Sequence, residues 1–186
     1  FSMFPAKMIG SYGNAGCITT NDDKLAKRLR LMRCNFNIGK NPDIQNAEYG
    51  TNMEPDVLQA AILNVKMKYL KGYLKRRKQI ARMYDRGLKY LPVRLPTYQP
   101  GRQYQDYVII PVWRDELADY MKKNGVGVLG HNLIPNHYYP KLKLEFDLPM
   151  TEEYIENQIR IPCNPDLTNE EVNYVIKIIK DFYGQR

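Results

Sequence analysis

The stretch from Glu54 to Leu91, "EPDVLQAAILNVKMKYLKGYLKRRKQIARMYDRGLKYL", divides the chain and so constrains its fold more than any other. Pro55 stands where a proline suits the first turn of a helix, and Leu58, Ala61, Ile62, Val65 and Tyr69 then recur at helical spacing. The pattern extends to about Leu91, interrupted by Gly72. A glycine in a helix interior costs roughly 1 kcal/mol relative to alanine, so Gly72 is expected to mark a bend or a domain junction. Residues 1–71 and 72–186 are the two domains this predicts.

Both parts alternate helical and strand-like segments. Ahead of the divide, "GCITTN" has the β-branched character of a short strand. "NDDKLAKRLRLMR" follows as a helix, with Asn21, Asp22 and Asp23 at its start and Leu25, Leu29 and Met32 on one face. "CNFNIGKNPDIQNAEYGTN" breaks all periodicity and reads as a long loop, a type that in compact domains is usually functional or disordered. Beyond the punctuation of "LPVRLPTYQPG", "DYVIIPVW" is the strongest strand, "DELADYMKKNG" a helix ending at Gly125, and "VGVLG" a second strand. The loop "HNLIPNHYYP" holds both histidines, "MTEEYIENQ" reads as a helix and "IRIPCN" as a strand. In the last helix Thr168 and Glu171 form a capping box, with Val172, Val175, Ile176, Ile179 and Phe182 inward. The expected architecture is α/β in front and a compact α+β module behind.

A length of 186 residues with 44% hydrophobic content suffices for one substantial core or two small ones. No apolar run approaches the ~20 residues of a membrane span. Cys17, Cys34 and Cys163 are widely spaced, with no C-x-x-C and only two histidines, which argues against a disulfide framework and a structural zinc. Buried free thiols, a cytoplasmic protein and no metal are the expectation. Phe1 is not an initiator methionine and no secretory pattern stands behind it, so we expect further chain upstream.

The net charge of +8 is concentrated in the cations from Lys66 to Arg86. Such a stretch either tracks a phosphate backbone or forms a solvated helix face whose long side chains shield apolar neighbours. No nucleic-acid-reading motif or stacking platform accompanies it, and nucleic acid is not the expected partner.

Lys7 opens a second line of reasoning. It follows Pro5 and leads into "GSYGNAG", where Gly10, Gly13 and Gly16 permit tight turns or close approach. The stretch is neither a P-loop nor a G-x-G-x-x-G cradle. Lys7 is either an exposed lysine beside ordinary turn glycines or a carbonyl-capturing amine, with Ser2 nearby to hold a phosphate.

The segments "FSMFPAKMIGSYGNAGCITTNDDKLAKRLRLMR" and "GTNMEPDVLQAAILNVKMKYLKGYLKRRKQIARMY" resemble the pyridoxal-phosphate-dependent sugar aminotransferases of the DegT/StrS type, of fold type I. The likeness continues to the "RIPCNPDLTNEEVNYVIKII" tail. It implies an enzyme that moves an amino group from an amino acid such as glutamate to a keto-sugar nucleotide. By that resemblance Lys7 is the Schiff-base lysine and shuttles a proton, and Ser2 bonds the cofactor phosphate. Asn52 reaches the phosphate in the neighbouring subunit's site, so a homodimer with shared sites is implied. His137 matches a substrate-side histidine in a P-x-H element. His131 precedes it, with a spacing to Pro135 one residue longer than the family's.

The same resemblance implies that this chain is the C-terminal half: the end of a large cofactor-binding α/β domain, residues 1–71, and a small α+β domain, residues 72–186. The phosphate-binding turn, the aromatic that stacks on the pyridine and the aspartate that pairs with its nitrogen would lie in a missing N-terminal half, leaving this chain inactive alone. Departures from the family pattern are Thr51, Glu54, Gly13-Asn14 and "CNFNIGKN". They leave room for a catalytically dead homologue with a regulatory role, and a basic nucleic-acid-binding module is the remaining alternative.

Overall fold

The computed structural model describes residues 1–36, 50–130 and 133–185. It divides into two compact units, Phe1–Lys71 and Gly72–Arg186.

In the first unit α1 spans Asp23–Arg33. The Asp22 carboxylate caps it, accepting from the N–H groups of Lys24 at 2.9 Å and Leu25 at 3.1 Å. Leu31 is its buried residue, whereas Leu25, on the face expected to be inward, is exposed. The strand expected at "GCITTN" is reduced to one antiparallel bridge, between Ser2 and Gly16. Strand propensity needs a neighbour to satisfy the backbone, and among the described residues no ladder continues past Cys17.

Helix α2 spans Val57–Met67 and α3 spans Leu70–Leu88. The break falls at Lys68 and Tyr69, whose N–H groups turn to the carbonyls of Val65 and Lys66 three residues back. Such bonds tighten the last turn of a helix and end it. Gly72 therefore lies inside α3, where it begins the second compact unit, and the helix stops at Leu88 rather than Leu91. The half-buried side of α2 carries Gln59, Ile62, Leu63 and Lys66. Its most apolar side, with Val57, Leu58 and Val65, is exposed.

The second unit is built on a three-stranded antiparallel sheet in the order β1-β2-β3. Its strands are Val93–Arg94, Tyr107–Pro111 and Ile159–Ile161. The central strand alternates, with Tyr107, Ile109 and Pro111 buried. The expected strand "VGVLG" contributes only a bridge from Leu129 to Arg160. Helix α4, Arg114–Lys123, ends at a turn in which Gly125 takes φ 74°, a conformation that favours glycine. Helix α5 spans Pro149–Asn157 and α6 spans Asn169–Gly184. The capping box of α6 is formed: Thr168 N donates to Glu171 Oε2 at 2.8 Å, and Glu171 N donates to Thr168 Oγ1 at 3.2 Å. One core joins Ile80, Tyr84 and Leu88 of α3, Tyr107 and Ile109 of β2, Leu117 and Met121 of α4, and Val172, Ile179 and Phe182 of α6.

Polar groups thread this core. Tyr84 donates to the Pro162 carbonyl at 2.7 Å and Tyr107 to Asp85 Oδ1 at 2.5 Å. Burial raises the Tyr84 hydroxyl above its usual range, raises Tyr107 further with help from the Asp85 hydrogen bond, and pushes the Cys163 thiol up to about 11. All three are acids whose neutral form the fold favours. Their contribution is complete below the unfolded-chain values, about 8.5 for a thiol and 10 for a phenol, and is lost as pH climbs past them. The urea midpoint of the second unit is expected to be flat from pH 7 to about 8.5 and to fall steadily above about 9.5. A midpoint unchanged up to pH 11 would contradict this.

The cysteines are free, but only Cys163 is buried; Cys34 is partly covered and Cys17 is exposed. The expectation of buried thiols fails at Cys17 because it sits at the edge of the glycine turn, with no packed layer over it.

Candidate functional site

The arm carrying Ser2 and Lys7 is folded back on the glycine-rich turn that follows it. Met3 N donates to the Ala15 carbonyl at 2.9 Å and Cys17 N to the Phe1 carbonyl at 2.9 Å. Ser11 is fully buried, and both its N–H and its hydroxyl lie 2.8 Å from the Met3 carbonyl oxygen. Lys7 N donates to the Phe4 carbonyl at 2.8 Å, closing a turn over Pro5 and Ala6. Gly10 completes the closure: a Cβ there would stand 2.2 Å from the Pro5 carbonyl oxygen, so only glycine permits the approach. Lys7 is thereby carried, exposed, on a loop whose two ends are tied together.

Ser2 lies on the same arm and is exposed. Its Oγ accepts from Phe4 N at 3.4 Å, which leaves the hydroxyl hydrogen to donate elsewhere. Asn52 stands on another strip of the same unit. That strip is laced to the end of α1 by the Cys34–Asn52 bridge, by Thr51 N donating to the Met32 carbonyl at 2.8 Å and by Met53 N donating to the Arg33 carbonyl at 2.9 Å. Glu54, one of the departures from the family pattern, pairs with Arg33 at 3.3 Å across an exposed surface, a contact of small energetic weight.

His137 belongs to the second unit, in a one-turn 3-10 helix, Asn136–Tyr138, that precedes another at Pro140–Leu142. Its side chain is only 6% exposed, and Nε2 lies 2.7 Å from Glu152 Oε1 on α5. The Tyr138 ring meets the imidazole edge-on at 4.7 Å. The hydrogen bond from His137 holds the Glu152 carboxyl below its usual range, against the effect of burial. Beside these turns a shallow cleft of about 450 Å³ is lined mainly by Leu133, Met150, Tyr154 and Ile155, with Gln158 and Arg160. His131 and most of the loop after Cys34 lie outside the described residues. No cluster of three or more potential metal ligands occurs among the described residues, and no helix there is long and apolar enough to cross a membrane.

Three cations of the basic stretch, Lys66, Arg76 and Arg77, are engaged within the fold. Arg77 is buried, and its Nη1 donates to the carbonyls of Cys163 at 2.6 Å and Gln105 at 2.8 Å. Arg76 donates to Asn169 Oδ1 and the Leu167 carbonyl, and Lys66 to the Gly10 carbonyl. Cations committed to carbonyl oxygens are not available to follow phosphates, which thins the surface a nucleic acid would need.

The individual roles of Gln59, Lys66, Arg77 and Glu152 were not read from the sequence, which placed Lys66 and Arg77 only within the cationic stretch. A signal existed for three of them. Gln59 and Lys66 are seven apart, on one side of α2, and Arg77 shares a stripe with Ala81, Tyr84 and Leu88.

Known proteins bear out the fold. The chain is 33% identical over 192 residues to a pleiotropic regulatory protein of Geobacillus stearothermophilus, with 98% of this chain and 51% of that protein aligned. It is 30% identical over 196 residues to dTDP-3-amino-3,4,6-trideoxy-alpha-D-glucose transaminase of Streptomyces venezuelae, covering 98% of this chain and 49% of the other. It thus spans about half the length of the curated relatives it matches. A crystal structure of a DegT DnrJ EryC1 StrS aminotransferase from Brucella abortus superposes with a TM-score of 0.90 at 29% identity, over 98% of this chain and 50% of that one. The architecture is that of part of an α/β aminotransferase. With residues 1–180, the lysine arm and the final helix included, matching the model of the DegT/DnrJ/EryC1/StrS aminotransferase family, the chain belongs to that family.

Proposed function

We propose that the intact protein transfers an amino group from an amino acid such as glutamate to a keto-sugar nucleotide, with pyridoxal phosphate held at Lys7, and that this chain is inactive alone. The observation that carries the reading is the exposed Lys7 on its tied loop, in a chain matched by an aminotransferase family over residues 1–180. The donor set fits the cofactor: a primary amine for its aldehyde, and the Ser2 hydroxyl and Asn52 amide for its phosphate. Bound pyridoxal phosphate supplies the electron sink. Lys7 Nζ would hold the cofactor covalently and, once released as a free amine, would take the proton from the amine-bearing carbon of the donor and in the second half-reaction deliver one to the sugar carbon that receives the nitrogen. Ser2 Oγ donates to the phosphate of its own site and Asn52 to that of a neighbouring subunit, which makes a homodimer the working form. His137, steadied by Glu152, and His131 contact the sugar nucleotide. In this reading residues 1–71 are the remainder of the large cofactor domain, residues 72–186 are the small domain, and the enzyme works in the cytoplasm. An N-terminal half covers the exposed side of α2.

The 33% identity to a pleiotropic regulatory protein favours one second reading, a family member that regulates without turnover. Incubating the intact protein with glutamate and a panel of dTDP- and UDP-linked keto-sugars separates the two. Amination is expected, with 2-oxoglutarate formed in step with aminated sugar, and none from this chain alone. Retained cofactor with no 2-oxoglutarate from any sugar would favour the regulatory reading.

A further inference from the structure

We propose that Gln59 and Lys66, on α2, are positioning residues that set where Lys7 stands; the proposal rests on the reading of Lys7 given above. Two turns of helix separate them, so they project from the same side of α2, and both reach the glycine turn that closes the Lys7 loop. Gln59 Oε1 accepts from Tyr12 N at 2.7 Å. Its amide also fills the space in front of Gly13, where an added Cβ would be 3.2 Å from Gln59 Nε2. Lys66 Nζ donates to the Gly10 carbonyl at 2.5 Å and lies 4.7 Å from the centre of the Tyr12 ring.

The coupling to Lys7 is a short mechanical chain. Gly10 presses on the Pro5 carbonyl, the buried Ser11 is bonded to the Met3 carbonyl, and Lys7 N is bonded to the Phe4 carbonyl. The backbone on either side of Lys7 is thus clamped to itself, and the clamp is bolted to α2 at Gly10 and Tyr12. Without those bolts, Gly10 to Gly13 would have the freedom of a glycine-rich loop, and the lysine would sample positions away from its reactive one. Misplacement of a reacting group by about 1 Å is enough to lower a rate by some two orders of magnitude. An apolar pair at these positions would pack α2 equally well but could satisfy neither backbone group. This accounts for two polar residues beside Ile62 and Leu63 on the half-buried side of a helix that leaves Val57, Leu58 and Val65 exposed.

The test is made on the intact protein freed of cofactor. Pyridoxal phosphate is added, borohydride follows after timed intervals, and peptide mapping compares the label at Lys7 with that at the exposed Lys75. Gln59→Ala and Lys66→Met are each expected to slow labelling of Lys7 about five- to tenfold, the scale of one lost hydrogen bond, with Lys75 unaffected. Gln59→Glu keeps the acceptor and Lys66→Arg keeps the cationic donor, so both are expected to retain labelling near the unsubstituted rate. Hydrogen exchange gives a reading independent of the cofactor: amides of residues 8–17 should exchange about tenfold faster in Gln59→Ala, with those of α6 unchanged. Unchanged Lys7 labelling and exchange in Gln59→Ala and Lys66→Met would overturn this proposal alone. Absence of preferred labelling at Lys7 in the unsubstituted protein would overturn the reading of Lys7, and this proposal with it.

Discussion

Replacing Lys7 by alanine in the intact protein is expected to abolish both covalent retention of pyridoxal phosphate and amino transfer. The visible absorbance band that borohydride bleaches should vanish, and turnover should fall by at least about 10²–10⁴-fold, the range removed with a positioned proton-transfer group. Lys7→Arg is expected to fail as fully, because a guanidinium stays protonated and cannot add to an aldehyde. These outcomes follow from the loop that presents Lys7: it offers one exposed amine, at a fixed place, next to a hydroxyl that can donate. In this chain alone, the expected result is different. The arm is present and folded, but the carboxylate that pairs with the pyridine and most phosphate donors would belong to the other half. Label fixed by borohydride should then spread over surface lysines such as Lys71, Lys75 and Lys78. Clean labelling of Lys7 with turnover by this chain alone would refute the division of the site between two halves.

What the sequence disclosed and what it hid follow one physical line. Features set by neighbours in sequence were legible: the Asp22 cap, the Thr168 and Glu171 box, the Gly125 turn and the alternation of β2. Features set by distant partners were not. "GCITTN" and "VGVLG" have strand composition, yet each reduces to a single bridge, since pairing depends on what lies alongside. Gly72 marks the boundary between the two compact units, but the helix itself stops earlier, at bonds from Lys68 and Tyr69 to carbonyls three residues back that glycine propensity does not report. The periodicity of α2 identified its most apolar side, and that side is the exposed one: hydrophobic pattern reports which surface needs cover, and the described residues here do not provide it. At the site, Lys7 stood out through resemblance, since chemistry alone left it no different from any lysine beside turn glycines. The structure adds the reason its loop can be rigid, in Gly10 against Pro5 and in Gln59 and Lys66 beneath the turn.

Arg77 is where the second unit should prove most fragile. It lies within the cation-rich stretch, indistinguishable by composition from Lys75 or Lys78, yet it is 7% exposed. Its Nη1 lies 2.6 Å from the Cys163 carbonyl, 2.8 Å from that of Gln105 and 3.3 Å from that of Tyr104, while Nε finds no partner among the described residues. The guanidinium thereby joins α3 to the segment before β2 and to the segment after β3, stretches that no strand ladder connects at those points. Arg77→Met fills a similar volume with apolar atoms but strands these carbonyls without a donor. A buried acceptor left unmet costs about 1–3 kcal/mol, so a loss of about 3 kcal/mol is expected, partly offset by the removal of a buried charge. Arg77→Lys supplies one compact donor in place of a rigid fork and should lose about half as much. Lys75→Ala, two residues away and exposed, should stay within about 0.5 kcal/mol. Urea unfolding followed by the fluorescence of Trp113 would measure all three. If Arg77→Met were as stable as Lys75→Ala, the stretch would be a uniform solvated face after all, and its cations would again be available for an anionic partner. If the ordering holds, the basic character of this helix is in part architectural: a cation was selected at position 77 for the carbonyls it gathers, and the net charge says correspondingly less about what the protein binds.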